Sequence, residues 1–165
     1  MPKPVVGVIG AGENASLSDV HNAYKLGELI AREGWVLLTG GRDAGVMRAA
    51  NEGAKQITGS ITIGILPHIT SPVAPGVDIA IFTGMHNARN NINVLSSNVV
   101  VACGACSAGT ISEIALALKA GKTVILLNTD EITNKFFERM KGGCLLFSLS
   151  PEDVIAIIKG RGLCR

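Results

Sequence analysis

The sequence predicts an α/β domain, a doubly wound and mostly parallel sheet of six or seven strands. Three observations predict it. The chain has 165 residues, enough for one domain with a sizeable core. It is rich in aliphatic residues and glycine (20 Gly) and poor in aromatics (4%), which suits buried parallel strands better than a sandwich. Short apolar runs alternate with amphipathic segments almost from end to end, the signature of successive βαβ units.

Val5–Ile9 reads as a buried strand ending in Gly10-Ala11-Gly12, and Ser18 caps a helix to about Glu33 with Val20, Ala23, Leu26, Ile30 and Ala31 on one face. Trp35–Thr39 is the second strand, and Gly40-Gly41-Arg42-Asp43-Ala44-Gly45 leads into a helix to about Gln56. Ile61–Leu66 and Asp78–Thr83 are strands separated by a proline-rich loop. Gly84-Met85-His86 then opens a helix over about Ala88–Ser97. Val99–Cys103 is the fifth strand, followed by a Gly/Ser/Cys turn and a helix from about Thr110 to Ala120. Thr123–Asn128 is the sixth, Ile132–Met140 a polar helix and Cys144–Phe147 a short seventh strand. Ser150-Pro151-Glu152-Asp153 starts the last helix, with a cap, a first-turn proline and two acids near the positive end of the dipole. No repeat or linker divides the chain, so residues 1–165 read as one Rossmann-like phosphate- or cofactor-binding domain.

Composition narrows the partners. The 15 basic and 13 acidic residues are scattered, with no basic block, so a nucleic-acid surface is not expected. Val5–Ile9 is too short for a signal peptide, and the charge-free stretches are broken by Pro, Asn, Ser and Gly, so no membrane span is expected. Cys103, Cys106, Cys144 and Cys164 read as reduced thiols of a cytoplasmic protein. The 110–120 helix is apolar nearly all round, and with Ile92, Val94 and Leu95 before it predicts a homo-oligomer interface, dimer or tetramer.

In an open parallel sheet ligands bind beyond the carboxyl ends of the strands. Four glycine-bearing turns fall there, at 10–12, 40–45, 84–89 and 104–109, each before a helix and two of them carrying Arg42 and Arg89. Backbone N–H groups and helix dipoles converge on such a rim, which makes it an anion site. Other chemistries fit less well. Gly10-Ala11-Gly12-Glu13-Asn14-Ala15 matches a dinucleotide fingerprint, but the second strand ends without an acid for the ribose, and Glu13 would repel a pyrophosphate. Ala105-Cys106-Ser107-Ala108-Gly109 has the form of a nucleophile elbow, but no histidine follows it. Cys103-Gly104-Ala105-Cys106 lacks two more ligands for zinc, so no metal site is expected. Glu113 stands out in a charge-free stretch, either as a functional carboxylate or as the closing member of a Thr110–Glu113 capping box.

Gly40-Gly41 with Gly45-Val46-Met47, then Thr83-Gly84-Met85-His86 with Arg89-Asn90, then Gly109-Thr110-Ile111-Ser112-Glu113 resemble the lysine-decarboxylase-like superfamily. That group includes the LONELY GUY cytokinin-activating phosphoribohydrolases and the molybdenum cofactor carrier proteins. The resemblance runs from Val5 to about Phe147. In the phosphoribohydrolase branch it implies that Glu113 stabilises charge at the sugar and that Arg89 works beside it on a nucleoside 5′-monophosphate such as AMP. This chain has Ala105-Cys106-Ser107 where that branch has Pro-Gly-Gly, and its arginine falls one residue later. Both departures favour the carrier branch, whose members hold molybdenum cofactor without turning it over. The resemblance then implies a small anionic cargo, molybdopterin with its terminal phosphate, and a molybdoenzyme acceptor. It implies binding by Gly10, Gly12, Gly40, Gly41, Arg42, Gly45, Gly84, Met85, His86, Arg89, Asn90, Cys106, Ser107, Ala108, Gly109, Thr110 and Glu113.

Overall fold

The computed structural model describes residues 2–140 and 142–164. Seven strands form a single sheet: β1 (Val5–Gly10), β2 (Val36–Thr39), β3 (Thr62–Leu66), β4 (Ile79–Phe82), β5 (Val99–Cys103), β6 (Thr123–Leu127) and β7 (Leu145–Ser148). Their order is β4-β3-β2-β1-β5-β6-β7, and every neighbouring pair is parallel. Strand order reverses between β1 and β5, where Gly10 lies opposite Cys103. That junction is the crevice position of an open α/β sheet.

Six helices cover the two faces: α1 (Leu17–Arg32), α2 (Gly45–Ala54), α3 (Asn90–Leu95), α4 (Ala108–Lys119), α5 (Glu131–Glu138) and α6 (Pro151–Gly160). The central strands are buried throughout yet sort their side chains by twos. Val6, Val8, Val99, Val101, Ile125 and Leu127 pack beneath α1, α2 and α6. Ile9, Val100, Ala102, Val124 and Leu126 pack with residues of α3, α4 and α5. Gly27 of α1 and Gly53 of α2 let those helices touch backbone to backbone. A Cβ on Gly27 would collide with the carbonyl of Ala50, and one on Gly53 with that of Tyr24.

Several local expectations are corrected. Ser16, not Ser18, caps α1, its Oγ accepting from Asp19 N at 3.0 Å; Ser18 then falls inside the first turn. Ser107, not Thr110, caps α4, accepting from Thr110 N at 3.1 Å. Glu113 therefore stands in the second turn and takes no part in a capping box. The single helix expected at 88–97 is a 3-10 turn, His86–Arg89, running into the short α3. Asp130 caps α5 through Thr133 N, which starts that helix at Glu131. β4 is an edge strand exposed at every residue, so its apolar run is not a core strand.

Candidate functional site

A cavity of about 310 Å3 opens at the carboxyl ends of β1, β2 and β5. Its lining comes from the turn after β1 (Gly10–Asn14), the turn after β2 (Gly40, Arg42), the 3-10 turn and start of α3 (Asn87, Arg89, Asn90) and the start of α4 (Ser107, Gly109, Thr110, Glu113). The volume is in the range of small-molecule pockets.

Each contributor is held by its own local structure. Thr39 at the end of β2 accepts from Gly41 N and from the buried Asn51 Nδ2, both at 3.0 Å, which fixes the Gly40-Gly41 turn. Val46 N at the start of α2 donates to Ala11 O at 3.0 Å, tying two turns of the rim together. No side chain caps α2; the carbonyls of Ala11 and Gly12 lie against its start instead, Ala11 O taking the Val46 N–H.

Arg89 is the central cation. Its residue is 9% exposed, and its Nε and Nη1 are buried with no hydrogen-bond partner among the described residues. The guanidinium passes so close over Gly40 that a Cβ there would collide with Nη1. Burial lowers its pKa; Glu113 opposes that shift and Arg42 adds to it. A guanidinium stays charged whatever the shift, so Arg89 is a cation short of an anionic partner.

Glu113 lies in the same cavity, held by Asn93 Nδ2, which donates to its Oε1 at 2.8 Å. Burial pushes its carboxyl above the usual range, while the Asn93 hydrogen bond and the Arg89 charge pull it back. At the mouth Arg42 pairs with the exposed Glu13 at 3.6 Å.

The structure brings Gly10, Gly12, Gly40, Arg42, Arg89, Asn90, Ser107, Gly109, Thr110 and Glu113 around this one cavity. Gly41, Gly45 and Ala108 support it from the adjoining turns without lining it. Gly84, Met85 and His86 lie outside: His86 Nδ1 sits 3.0 Å from His68 Nε2, and Met85 is 48% exposed. Cys106 turns to a second cavity with Asp19 and Asn128. Residues that sequence reasoning passed over are Asn87, Met47 and above all Asn93. The last lies in α3 and is placed by its hydrogen bond to Glu113 across to α4, a contact between elements that no motif in the sequence marks. Among the described residues no group of three or more His, Cys, Asp or Glu could hold a metal. No helix of the described residues is long and apolar enough to cross a membrane.

Fold and cavity together define a Rossmann-like α/β protein with a polar crevice at the strand switch, a buried arginine in its lining. Comparison with known proteins narrows this further. A family model described as SLOG cluster4 matches residues 3–155, and the chain belongs to that family. It is similar to the molybdenum cofactor binding protein of the phototrophic bacterium Rippkaea orientalis (55% identity, 98% of each chain, TM-score 0.93). It is also similar to the molybdenum cofactor carrier protein of Chlamydomonas reinhardtii (46% identity, 96% of this chain and 98% of that one, TM-score 0.88). An uncharacterized protein of Archaeoglobus fulgidus is 47% identical over 122 residues, 74% of this chain and 78% of that protein.

Proposed function

We propose that this protein binds molybdenum cofactor and carries it, without chemical turnover, to a molybdoenzyme acceptor. The observation that carries the reading is the buried guanidinium of Arg89, with Nε and Nη1 unpartnered at the floor of a polar crevice. Buried guanidinium nitrogens left without an acceptor are costly, and a phosphate arriving in the crevice gives this cation an anionic partner. The terminal phosphate of the cofactor meets Arg89 and Arg42. Ser107 and the turn before α4 supply further donors. Glu13 occupies Arg42 in the free protein and yields it to the arriving phosphate, a weak exposed pair being easily exchanged. The similarity to proteins named for binding or carrying this cofactor supports the same cargo.

The test is saturable binding of molybdenum cofactor, followed by calorimetry and by mass spectrometry of what co-purifies. Arg89→Ala should abolish it; a variant that binds like wild type removes the site from the proposal. Glu113 keeps a second reading in view, because a carboxylate held by Asn93 beside Arg89 also suits N-glycosidic cleavage. Free base released from AMP by wild type and not by Glu113→Gln would replace the carrier reading with phosphoribohydrolase activity.

A second copy of the chain covers α3 and α4. Leu95 is 52% and Ile111 38% exposed there, and the α4 face between them carries half-buried Ala115 and Leu116. In sizing experiments wild type should elute as a dimer or tetramer and Ile111→Asp as a monomer. An unchanged assembly in the variant defeats the interface.

A further inference from the structure

Beside the main crevice lies a second cavity of about 190 Å3, where the start of α1 meets the turns that follow β5 and β6. The two cavities share two stretches of backbone. Gly12–Asn14 line the larger and Ser16 the smaller; Ser107, Gly109 and Thr110 line the larger and Gly104–Cys106 the smaller.

Asp19 is the member of the smaller cavity that asks for a ligand. The residue is only 6% exposed. Its backbone N–H is taken by Ser16 Oγ, and no donor among the described residues bonds its carboxylate. Both oxygens lie against the bare Cα of Gly104: a Cβ there would sit 2.6 Å from Oδ2 and 2.9 Å from Oδ1. The neighbouring acid does not share its role, since Asp130 is engaged in capping α5 through Thr133 N and Oγ1, both at 2.8 Å. The field of Asp19 adds to burial in pushing the Cys103 thiol well up. A carboxylate is an acceptor only, and one set this deep with no hydrogen bond from the described residues is placed to take donors from a ligand. A metal ion is a poor candidate, because no group of three or more His, Cys, Asp or Glu among the described residues surrounds the position.

We propose that the smaller cavity is a binding site for a planar ring edge bearing two adjacent N–H donors, the 2-amino-4-oxopyrimidine edge shared by pterins and guanine. Asp19 accepts from the ring N–H and from the exocyclic amino group, one oxygen to each, the fork geometry that carboxylates bind well. Cys106 and Asn128 flank the ring. The inference rests on the carrier reading for its place in the whole: the phosphate occupies the larger cavity and the pterin head the smaller, with the shared turns between them.

The experiment titrates wild-type protein with a simple, phosphate-free pterin, followed by its fluorescence. It is repeated with lumazine, in which a carbonyl replaces the 2-amino group. Pterin should bind saturably and lumazine on the order of tenfold more weakly or worse, since a lost donor leaves a buried acceptor unpaired. Asp19→Asn places a donor against the ring donors and should lose pterin while still binding inorganic phosphate; Arg89→Ala should do the reverse. Equal affinity for pterin and lumazine, no pterin binding by wild type, or full pterin binding by Asp19→Asn each overturns the proposal. The lumazine comparison uses wild type alone, so it decides even if the variant fails to fold. Cofactor that binds while pterin does not removes this subsite and spares the carrier reading. Pterin that binds while the cofactor does not removes the carrier reading and spares the subsite.

Discussion

On one face of the sheet, α1, α2 and α6 enclose a core of 20 buried hydrophobic residues, and the crossing of α1 over α2 is closed enough that two glycines are required at it. On the other face, α3, α4 and α5 enclose 10, and buried polar groups sit beside them: Arg89, Asn93, Thr110 and Glu113. The first face is close-packed, and its helices bury fewer polar groups, Asp19 of α1 and Asn51 of α2. The second gives up apolar burial for charges that it leaves incompletely satisfied. Apolar burial is thus weighted to one side of the sheet and buried charge to the other, with strand β1 and its turn between them.

Substitutions should separate the faces by size and by sign. Gly27→Val places a side chain into the Ala50 carbonyl and forces α1 from α2; overpacking of this kind should cost about 3 kcal/mol in a denaturant titration. Arg89→Met should act in the opposite direction, gaining about 1 kcal/mol by removing an unpaired buried cation while anion binding is lost. A stability loss there as large as that of Gly27→Val would mean that the second face is structural too. Ser107→Ala removes the α4 cap and should cost about 1 kcal/mol, with weaker phosphate binding because the same turn lines the crevice.

The smallest effect concerns pH. Burial raises the Glu113 carboxyl above its ordinary value, so the folded protein holds this proton more tightly than the unfolded chain. Its favourable contribution is complete below the ordinary carboxylate pKa and declines as pH rises through the raised value. Melting temperature should fall across that window in wild type, and the decline should flatten in Glu113→Gln. An identical slope in the two proteins would place the carboxyl at its ordinary value.

How well the sequence foretold these faces differs between them. The central strands and the turns of the rim were legible because a buried parallel strand is a short aliphatic run, and Val5–Ile9 or Val99–Cys103 has no other sensible reading. The convergence of Gly10, Gly40, Arg89 and Glu113 followed from topology once the strands were placed. Caps were misplaced because Ser16 and Ser18, or Ser107 and Thr110, are equally good capping residues, and only the backbone decides which has the extended φ/ψ. Gly27 and Gly53 look like weak points in helices until the partner helix is seen to require them. Asn93 carries no charge and no motif, so its bond to Glu113 emerges only when α3 is laid beside α4. The placement of Gly84, Met85 and His86 away from the crevice depends on the 3-10 turn, which the apolar periodicity did not resolve.

The glycine-mediated contact of α1 with α2 also bears on how a cargo would leave. Those helices carry the first two turns of the rim, and their joined backbones make the pair one stiff jaw with no room to slide. In the carrier reading proposed above, unloading would fall to the opposite jaw, where a single 3-10 turn and the short α3 carry Asn87 and Arg89. A recipient protein that tugged on that short segment would loosen the grip on the anion while leaving the rest of the molecule undisturbed.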